Sequence, residues 1–348
     1  MLAVWPCLNA TGQPGGHQAN GHEGTGNHSG AFAVRGGGDV AVTAVDLPGL
    51  LGDLDGAVRS ELASTPEVVD KRDDLDVGDL PIVARRWHKV SDAVAVVADL
   101  KNSTRLGTGK WAASTASIYE ASTGSIVRIF DEFDADFLAI QGDGAFGLFW
   151  GERRYERALC AGITIKTFSR DMVERLEKRW PDLPETGFKL GVASSRLLAK
   201  KIGTPRNPAQ QEPVWAGKAV NYAAKAAQGA DRHIMVVTGN VWDQVEKNDY
   251  LAISCPCGTG PSLGIWNDTE IERLPDGDPE AQGRALTAAW CSVHGDEYCA
   301  AVLAGKRHRG DADNLRKALA ASQMRIAIRL KAKNERSALR AHRRGLAS

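Results

Sequence analysis

The segment FLAIQGDGAFGLFW, residues 137–150, places two apolar runs on either side of Gly142, Asp143 and Gly144. Glycine and aspartate reach the backbone angles that tight turns require, so the segment predicts a β-hairpin with Asp143 at its tip. Turn formation alone explains an aspartate at this position. A further role for its carboxylate depends on a second acidic group close to the turn.

A short apolar run before the hairpin ends in such a group. The run VSDAVAVVADL predicts a buried strand that ends at Asp99. In a βαββ unit the first strand commonly pairs beside the following hairpin, which brings Asp99 and Asp143 to one edge of the sheet. Two carboxylates held close raise each other's pKa unless a cation lies between them. Mg²⁺ and Mn²⁺ take oxygen ligands and also bind phosphates, so the pair predicts a two-metal site for phosphoryl transfer.

The remaining pattern predicts one compact α+β unit over residues 88–250, with the element order βαββαβ and additions. Helical spacing of apolar residues marks 110–133, 152–180 and 219–229, and FKLGVAS at 188–194 is a predicted strand. HIMVVTG predicts a further strand and NVWDQVEKN a further helix. Between the strand FKLGVAS and the helix at 219–229, we interpret the stretch RLLAKKIGTPRNPAQQEPVWAG as a long loop.

The segments outside this unit differ from it in composition. Residues 1–40 are rich in Gly, His and Asn and too poor in apolar residues to offset the entropy of ordering, which predicts a disordered tail. Residues 41–87 hold one amphipathic helix, around 47–62, and an acidic linker. Residues 251–305 form a cysteine-containing extension. Residues 306–348 carry thirteen Lys or Arg and predict a basic helix, which suits either nucleic-acid phosphates or an acidic part of the same chain.

Composition excludes several classes of protein. Acidic and basic residues balance at 43 each, so the overall charge indicates no polyanionic partner. Six cysteines in 348 residues do not indicate a disulfide-stapled secreted domain, which favours a reducing compartment. No run approaches the roughly 18–20 apolar residues of a membrane span, and the N-terminal stretch lacks the basic flank of a signal peptide. We therefore expect a cytoplasmic protein that does not enter a membrane.

Three motifs, in this order, resemble class III nucleotide cyclases. VVADLKNST resembles the metal-binding strand and phosphate loop of that family, and QGDGAFGLF resembles its hairpin. VWAGKAVNYAAKAA resembles its third motif, a helix with Asn and, one turn later, a basic residue. The resemblance identifies residues 88–250 as the cyclase domain and implies a ferredoxin-type βαββαβ sheet covered by helices, with a small C-terminal extension. It also implies a homodimer in which both protomers contribute to each active site.

The resemblance assigns roles to individual residues. It implies that Asp99, Asp143 and the backbone carbonyl of Leu100 hold two Mn²⁺ or Mg²⁺ ions per active site. It implies that Asn221 orients the ribose and that Lys225, on the same helix face, stabilises charge on the phosphates. The candidate substrate-binding residues are Ser103, Thr104, Gln141, Gly142, Trp215 and Tyr222, of which Trp215 is also a candidate core residue.

The chain departs from the family pattern at Lys225, where arginine is usual, and at Ser103, where phenylalanine is usual. Lysine keeps the positive charge without the bidentate geometry of arginine. Two further departures concern the base. Purine cyclases recognise the base of the nucleotide with a Lys or Glu that lies four residues before the hairpin aspartate. They also use a polar residue that lies three residues before the glycine of the third motif. Here these positions are Ala139 and Val214, which cannot hydrogen-bond a base.

The segments STASIYEASTG, EFDADF and VWDQVEKNDYLA resemble the pyrimidine cyclases of bacterial Pycsar anti-phage systems. That resemblance implies conversion of UTP to cyclic UMP, the messenger for an effector protein encoded nearby. Three alternatives stay open: a cytidylate cyclase making cyclic CMP, a purine cyclase with an atypical pocket, and a catalytically silent domain that binds nucleotide as a sensor.

The C-terminal cysteines form a separate candidate site. Cys255, Cys257, Cys291, His294 and Cys299 are possible soft ligands, and structural Zn²⁺ takes four. The Cys-x-Cys spacing is tighter than usual, and the seven residues between Cys291 and Cys299 make that pair looser. The sequence leaves open both a zinc site and a small subdomain with buried free thiols.

Overall fold

The computed structural model describes residues 45–108, 111–258 and 260–345, so the expected tail over residues 1–40 lies outside the described residues. The chain divides into two units after Ser64. The smaller unit contains helix α1, Leu47–Leu62, as the sequence predicts. Asp46 caps this helix, because its carboxylate accepts a hydrogen bond of 3.2 Å from the Gly49 N–H.

The larger unit, from Thr65 onward, combines one sheet with helices on both faces. Its strands are β1 (Glu67–Asp70), β2 (Arg86–Leu100), β3 (Phe137–Gln141), β4 (Gly144–Phe149), β5 (Phe188–Gly203), β6 (Gln211–Gly217), β7 (Met235–Val237), β8 (Trp266–Glu270) and β9 (Gln282–Leu286). Its helices are α2 (Ser103–Leu106), α3 (Ala112–Tyr119), α4 (Ser125–Glu132), α5 (Arg154–Arg179), α6 (Lys218–Gly229), α7 (Gly239–Val245), α8 (Asp249–Ala252), α9 (Gly295–Leu303) and α10 (Asp313–Gly345). Among the described helices, none is long and apolar enough to cross a membrane.

The sheet has the strand order β3-β4-β2-β5-β7-β9-β8, with β1 beside β2 and β6 beside β5. β2 pairs antiparallel with both β4 and β5, while β5 and β7 run parallel. The expected α+β class and its βαββαβ order are therefore confirmed. From Val94 onward the side chains of β2 alternate, so its even-numbered residues face α4 and α5 and its odd-numbered residues face α6.

Helix α6 packs very closely on β5. A Cβ atom at Gly191 would lie 1.9 Å from the Ala223 carbonyl oxygen, so only glycine permits this approach. Ala219, Ala223 and Ala227 line the buried side of the helix. The small residues thus bring the α6 backbone against the sheet and leave the opposite face of the helix to carry polar side chains.

Two expectations about chain organisation change. The predicted long loop after residue 194 is wrong, because β5 continues to Gly203 and returns as β6, with Leu198 opposite Ala216. Gly203, at φ +143°, and the following Pro205 mark the turn region rather than a whole loop. The boundary expected at residue 250 falls inside the larger unit, since β9 pairs with β7 and extends the same sheet.

Candidate functional site

Asp99 and Asp143 lie at the same edge of the sheet. β2 and β4 pair as far as Ala98 opposite Ala145, one residue before Asp99. Asp143 follows Gly142, which has φ +64°, in the two-residue turn of the hairpin. A Cβ atom at Gly144 would lie 2.5 Å from the Ala98 carbonyl oxygen, so glycine allows the turn to approach the end of β2. We call Asp99 and Asp143 the acidic edge.

The two carboxylates have different surroundings. Asp99 forms an ion pair of 2.6 Å with Lys189, its partner across the β2–β5 ladder, and both side chains are less than one-fifth exposed. The Asp143 carboxylate has no hydrogen bond or ion pair within the described part of the chain, although its backbone carbonyl accepts a hydrogen bond from Thr123. Sequence reasoning missed Lys189. The signal was a lysine between buried Phe188 and Leu190 in an apolar strand.

The loop that follows Asp99 is anchored through its first two residues. The Lys101 N–H donates to the Gly187 carbonyl over 3.0 Å, and the Asn102 amide donates to the Glu185 carbonyl over 2.7 Å. The Lys101 ammonium pairs with Asp231 and Glu185, and hydrogen bonds to these carboxylates raise its pKa. Asn102 has φ +59°, which turns the chain sharply into α2. The loop therefore has a defined course beside the acidic edge.

His233 supports this loop from behind. A Cβ atom at Gly187, which has φ +139°, would lie 2.6 Å from the His233 ring, so this ring packs directly against the Gly187 backbone. Ser169 Oγ accepts a hydrogen bond of 2.8 Å from the Phe188 N–H and lies 2.9 Å from His233 Nδ1. Burial, together with the nearby Arg232, lowers the pKa of His233 to about 4. The imidazole is therefore neutral at pH 7, and its Nδ1 lies within hydrogen-bond distance of the Ser169 hydroxyl.

Several of the predicted substrate-binding residues present groups near this edge. Ser103 is half-buried and Thr104 is exposed, and neither hydroxyl has a hydrogen-bond partner among the described residues. Gln141 and Gly142 are exposed at the hairpin turn. Leu100 differs, because its side chain is buried in the core and only its backbone can reach the edge.

Asn221 and Lys225 lie on α6. Asn221 is exposed, and its amide donates a long hydrogen bond of 3.4 Å to the Gly217 carbonyl. Lys225 is half-buried, and its ammonium nitrogen lies 5.7 Å from the centre of the Tyr222 ring. Within the described residues, no hydrogen bond or ion pair joins these two side chains to Asp99 or Asp143. Within one chain, these contacts do not link Asn221 and Lys225 directly to the acidic edge.

Tyr222 connects α6 to the segment before β9. The Tyr222 hydroxyl donates a hydrogen bond of 2.6 Å to Asp278, and the Lys218 ammonium lies 3.0 Å from the same carboxylate oxygen. Hydrogen bonds from Tyr222 and Lys218 lower the pKa of Asp278 to about 2. Burial, and then the hydrogen bond to Asp278, raises the pKa of Tyr222. Asp278, which sequence reasoning missed, thereby fixes the helix that carries Asn221 and Lys225.

Trp215 belongs to an aromatic cluster, which we define as Phe137, Phe146, Trp150 and Trp215. Its ring centre lies 4.9 Å from that of Phe137 and 5.5 Å from that of Trp150. The indole N–H is buried without a hydrogen-bond partner. Ala139 packs against the same core, and Val214, which precedes Trp215 on β6, is half-buried. These contacts favour the core interpretation of Trp215.

The C-terminal soft ligands converge, with one exception. Ligand atoms of Cys255, Cys257, Cys291 and His294 all lie within 4.8 Å of one another, and we call these residues the cysteine cluster. Cys299 is outside it, because α9 turns this side chain toward the core beside Cys160. Of the five candidate ligands named from the sequence, four therefore come together and Cys299 does not.

The donor set of the acidic edge fits a hard divalent cation. It consists of two carboxylates and a backbone carbonyl, all oxygen, beside an anchored loop with free hydroxyl groups. The carboxylate of Asp143 is not engaged by any described side chain, and Asp99 already lies beside a positive charge. Sites of this composition catalyse phosphoryl transfer.

Comparison with known proteins identifies the family. No family model matches the chain. The chain is 60% identical over 306 residues to a uridylate cyclase of Micromonospora echinofusca, covering 88% of this chain and 100% of that protein. It is 48% identical over 300 residues to a uridylate cyclase of Propioniciclava tarda, covering 84% and 97%. The chain therefore belongs to the family of these uridylate cyclases and is a pyrimidine nucleotide cyclase, which confirms the resemblance described above.

Among solved structures, the adenylyl cyclase CyaB from P. aeruginosa aligns with 58% of this chain and 96% of its own, at 10% identity and a TM-score of 0.47.

Proposed function

We propose that the protein converts UTP to 3′,5′-cyclic UMP and pyrophosphate. The observation that supports this most directly is the 60% identity to a uridylate cyclase across that protein's whole length. The positions with which purine cyclases read the base are apolar here, Ala139 and Val214. Both are half-buried, and Ala139 packs against the core that contains the aromatic cluster. The chain therefore lacks, at these two positions, the polar groups that a purine-specific pocket uses to recognise the base.

In this proposal two Mn²⁺ or Mg²⁺ ions are held by Asp99, Asp143 and the backbone carbonyl of Leu100. Such ions acidify the ribose 3′-hydroxyl and neutralise the triphosphate. The carboxylate of Asp143 supports the assignment, because it has no hydrogen-bond or ion-pair partner among the described residues. A metal at Asp99 would share or replace its ion pair with Lys189. Lys189 is then a further candidate contact to the phosphates.

The chain's own residues position the reacting groups. Asn221 orients the ribose so that its 3′-oxygen faces the α-phosphorus, and Lys225 stabilises negative charge that develops on the phosphates. Ser103 and Thr104 hold the triphosphate through their hydroxyl groups. The 3′-oxygen forms a bond to the α-phosphorus, the bond to pyrophosphate breaks, and the 3′-hydroxyl proton passes to solvent. No protein nucleophile takes part.

The substrate-side residues divide into two groups. Gln141 and Gly142 remain candidates for direct contact with UTP, because both are exposed at the hairpin turn. Tyr222 and Trp215 are better explained as supports, since Tyr222 bonds to Asp278 and Trp215 stacks in the aromatic cluster. We therefore place base recognition on groups around the turn rather than on these two rings.

We further propose a homodimer with two equivalent active sites at its interface. Asp99 and Asp143 of one protomer would face Asn221 and Lys225 of its partner. This arrangement is supported by the separation of the two sets within one chain, where no described hydrogen bond or ion pair joins them. In a twofold-symmetric dimer, the acidic set of each protomer would lie beside the polar set of the other, which gives two equivalent sites.

The biological role that we propose is anti-phage defence. Cyclic UMP would act in the cytoplasm as a messenger for an effector encoded nearby, which stops growth of the infected cell. The support is the resemblance of several segments, among them STASIYEASTG and EFDADF, to the pyrimidine cyclases of Pycsar systems.

The deciding experiment offers the purified chain UTP, CTP, ATP and GTP separately with Mn²⁺ and identifies products by mass spectrometry. We expect cyclic UMP and pyrophosphate in equal amounts from UTP, with much slower turnover of the other three. Faster production of cyclic CMP or of a purine product would overturn the assignment of the base. Nucleotide binding without pyrophosphate release would instead identify a silent sensor domain.

A further inference from the structure

The cysteine cluster joins two loops that are distant in sequence. Cys255 and Cys257 lie in the loop after α8, while Cys291 and His294 lie just before the first residue of α9. The Cys257 sulfur is 3.1 Å from His294 Nδ1, and the Cys291 sulfur is 3.9 Å from the same nitrogen. Strands β8 and β9 lie between the two loops along the chain.

The spacing of the four ligand atoms matches a tetrahedral zinc site. Zn–S bonds of about 2.3 Å and Zn–N bonds of about 2.05 Å place tetrahedral ligands about 3.5–3.8 Å apart. The ligand atoms here lie within 4.8 Å of one another, so small side-chain movements complete the tetrahedron. The five described cysteines are all free thiols, and no disulfide uses any of these sulfurs.

The backbone around the cluster is built to hold the ligands in place. The Gly295 N–H donates to the Cys291 carbonyl over 2.7 Å, and the Val293 N–H points at the Cys291 sulfur over 3.4 Å. On the other side, Ser254 closes its loop by a backbone hydrogen bond of 2.9 Å to Ser262. N–H groups directed at a ligand sulfur are a common feature of thiolate metal sites because they orient the ligand.

The same segment is attached to the helix behind the catalytic sheet. The Trp290 N–H donates to Thr167 Oγ1 and its indole N–H donates to Thr164 Oγ1, both on α5, over 3.0 and 2.9 Å. His294 stacks on Tyr298 with ring centres 5.5 Å apart. A metal in the cluster would therefore connect the loop after α8 to a segment that already rests on α5.

We propose that Cys255, Cys257, Cys291 and His294 bind one structural Zn²⁺ ion per chain, independently of the catalytic metals. Three sulfurs and one imidazole nitrogen favour zinc over the oxygen-preferring Mg²⁺ and Mn²⁺. With four protein ligands the site has no open position for substrate, which is the property of a structural site. Its effect is to close the chain around β8 and β9 and to stabilise the part of the sheet that lies beyond β7.

The first test measures metal in the full chain, purified without chelator, by inductively coupled plasma mass spectrometry. We expect about one zinc per chain in the wild type. The double variant C257S/C291S should lose it, whereas the matched control C299S, a nearby half-buried thiol outside the cluster, should keep it. The variant D99N/D143N should also keep its zinc, since the acidic edge is a different site.

A second measurement covers the case in which C257S/C291S fails to fold. In the wild-type chain, titration with an organomercurial reagent should release zinc as the cluster thiols react, and the melting temperature should fall by about 5 °C or more. Cobalt substitution should give the intense visible absorption of tetrahedral thiolate coordination. Zinc below about a tenth of one equivalent, iron in place of zinc, or zinc retained by C257S/C291S would each overturn the proposal.

Discussion

The acidic edge and the cysteine cluster place metal-ligating groups together in opposite ways. Asp99 and Asp143 meet because strand register and a glycine turn bring two strand ends together, and the Asp143 carboxylate has no partner among the described residues. The cysteine cluster is assembled by two loops and offers four ligands with no open position. The first arrangement suits a site that must admit a substrate, and the second suits one that only holds the chain together.

The largest effect is expected from removing the carboxylate charge at the acidic edge. D99N or D143N should lower the rate of cyclic UMP formation by at least about a thousandfold, because the divalent ions proposed for this site would lose a ligand. Product formation from UTP with Mn²⁺ measures this. D131N, at an exposed aspartate on α4, is the matched control and should retain full activity. Substantial activity in either edge variant would contradict the metal assignment.

Mixing two inactive variants tests whether each active site takes its residues from both protomers of a dimer. D143N and N221A should each be inactive alone, but their mixed dimers should contain one intact site of two. Random exchange of protomers then restores about a quarter of wild-type activity, since half of the dimers are mixed. The measurement is turnover of the co-expressed mixture, with both variants present in equal amounts and the mixed dimers not separated from the rest. Activity that stays at the level of the single variants would show that each site lies within one chain.

A smaller loss of activity is expected from changing Asp278, which lies in the segment beyond β7 and bonds to α6. D278N should lower kcat by about tenfold with little change in KM, because Asp278 then holds Tyr222 and Lys218 less firmly and α6 positions Asn221 less well. Y222F should reproduce most of this loss. Steady-state kinetics and the melting temperature together distinguish the cases. A fall in melting temperature with unchanged kcat would assign Asp278 to stability alone.

The smallest effect concerns the pH dependence of stability and His233, which supports the loop that follows Asp99. Burial lowers the pKa of His233 to about 4 from an ordinary value of 6.5, so the unfolded chain binds this proton more readily. The free energy of unfolding should therefore fall as the pH decreases from about 6.5 to about 4, and this contribution should stop changing below that range. H233N should reduce the slope in urea unfolding. An unchanged slope would show that His233 is not the group responsible.

Local chemistry made much of the fold predictable. Helix α1 has the predicted bounds, because its apolar periodicity, Pro48 and the Asp46 cap all act within a few residues. The hairpin over β3 and β4 was equally clear, since glycine and aspartate determine the turn. The β5–β6 hairpin was missed because Lys200, Lys201 and the Gly-Thr-Pro sequence interrupt the apolar pattern, and only pairing with the neighbouring strands makes this segment extended.

The same division applies to the functional groups. The sequence by itself determined which residues carry oxygen ligands, soft ligands and the Asn–Lys pair on one helix face, because residue type and short spacing define that chemistry. The tertiary structure alone decided that Lys189 faces Asp99, that Asp278 holds Tyr222, and that His294 rather than Cys299 joins the cysteine cluster. The contacts of Lys189 with Asp99, of Asp278 with Tyr222 and of His294 with Cys257 join residues 37 or more positions apart. Strand register and packing, which no local pattern encodes, bring these residues together.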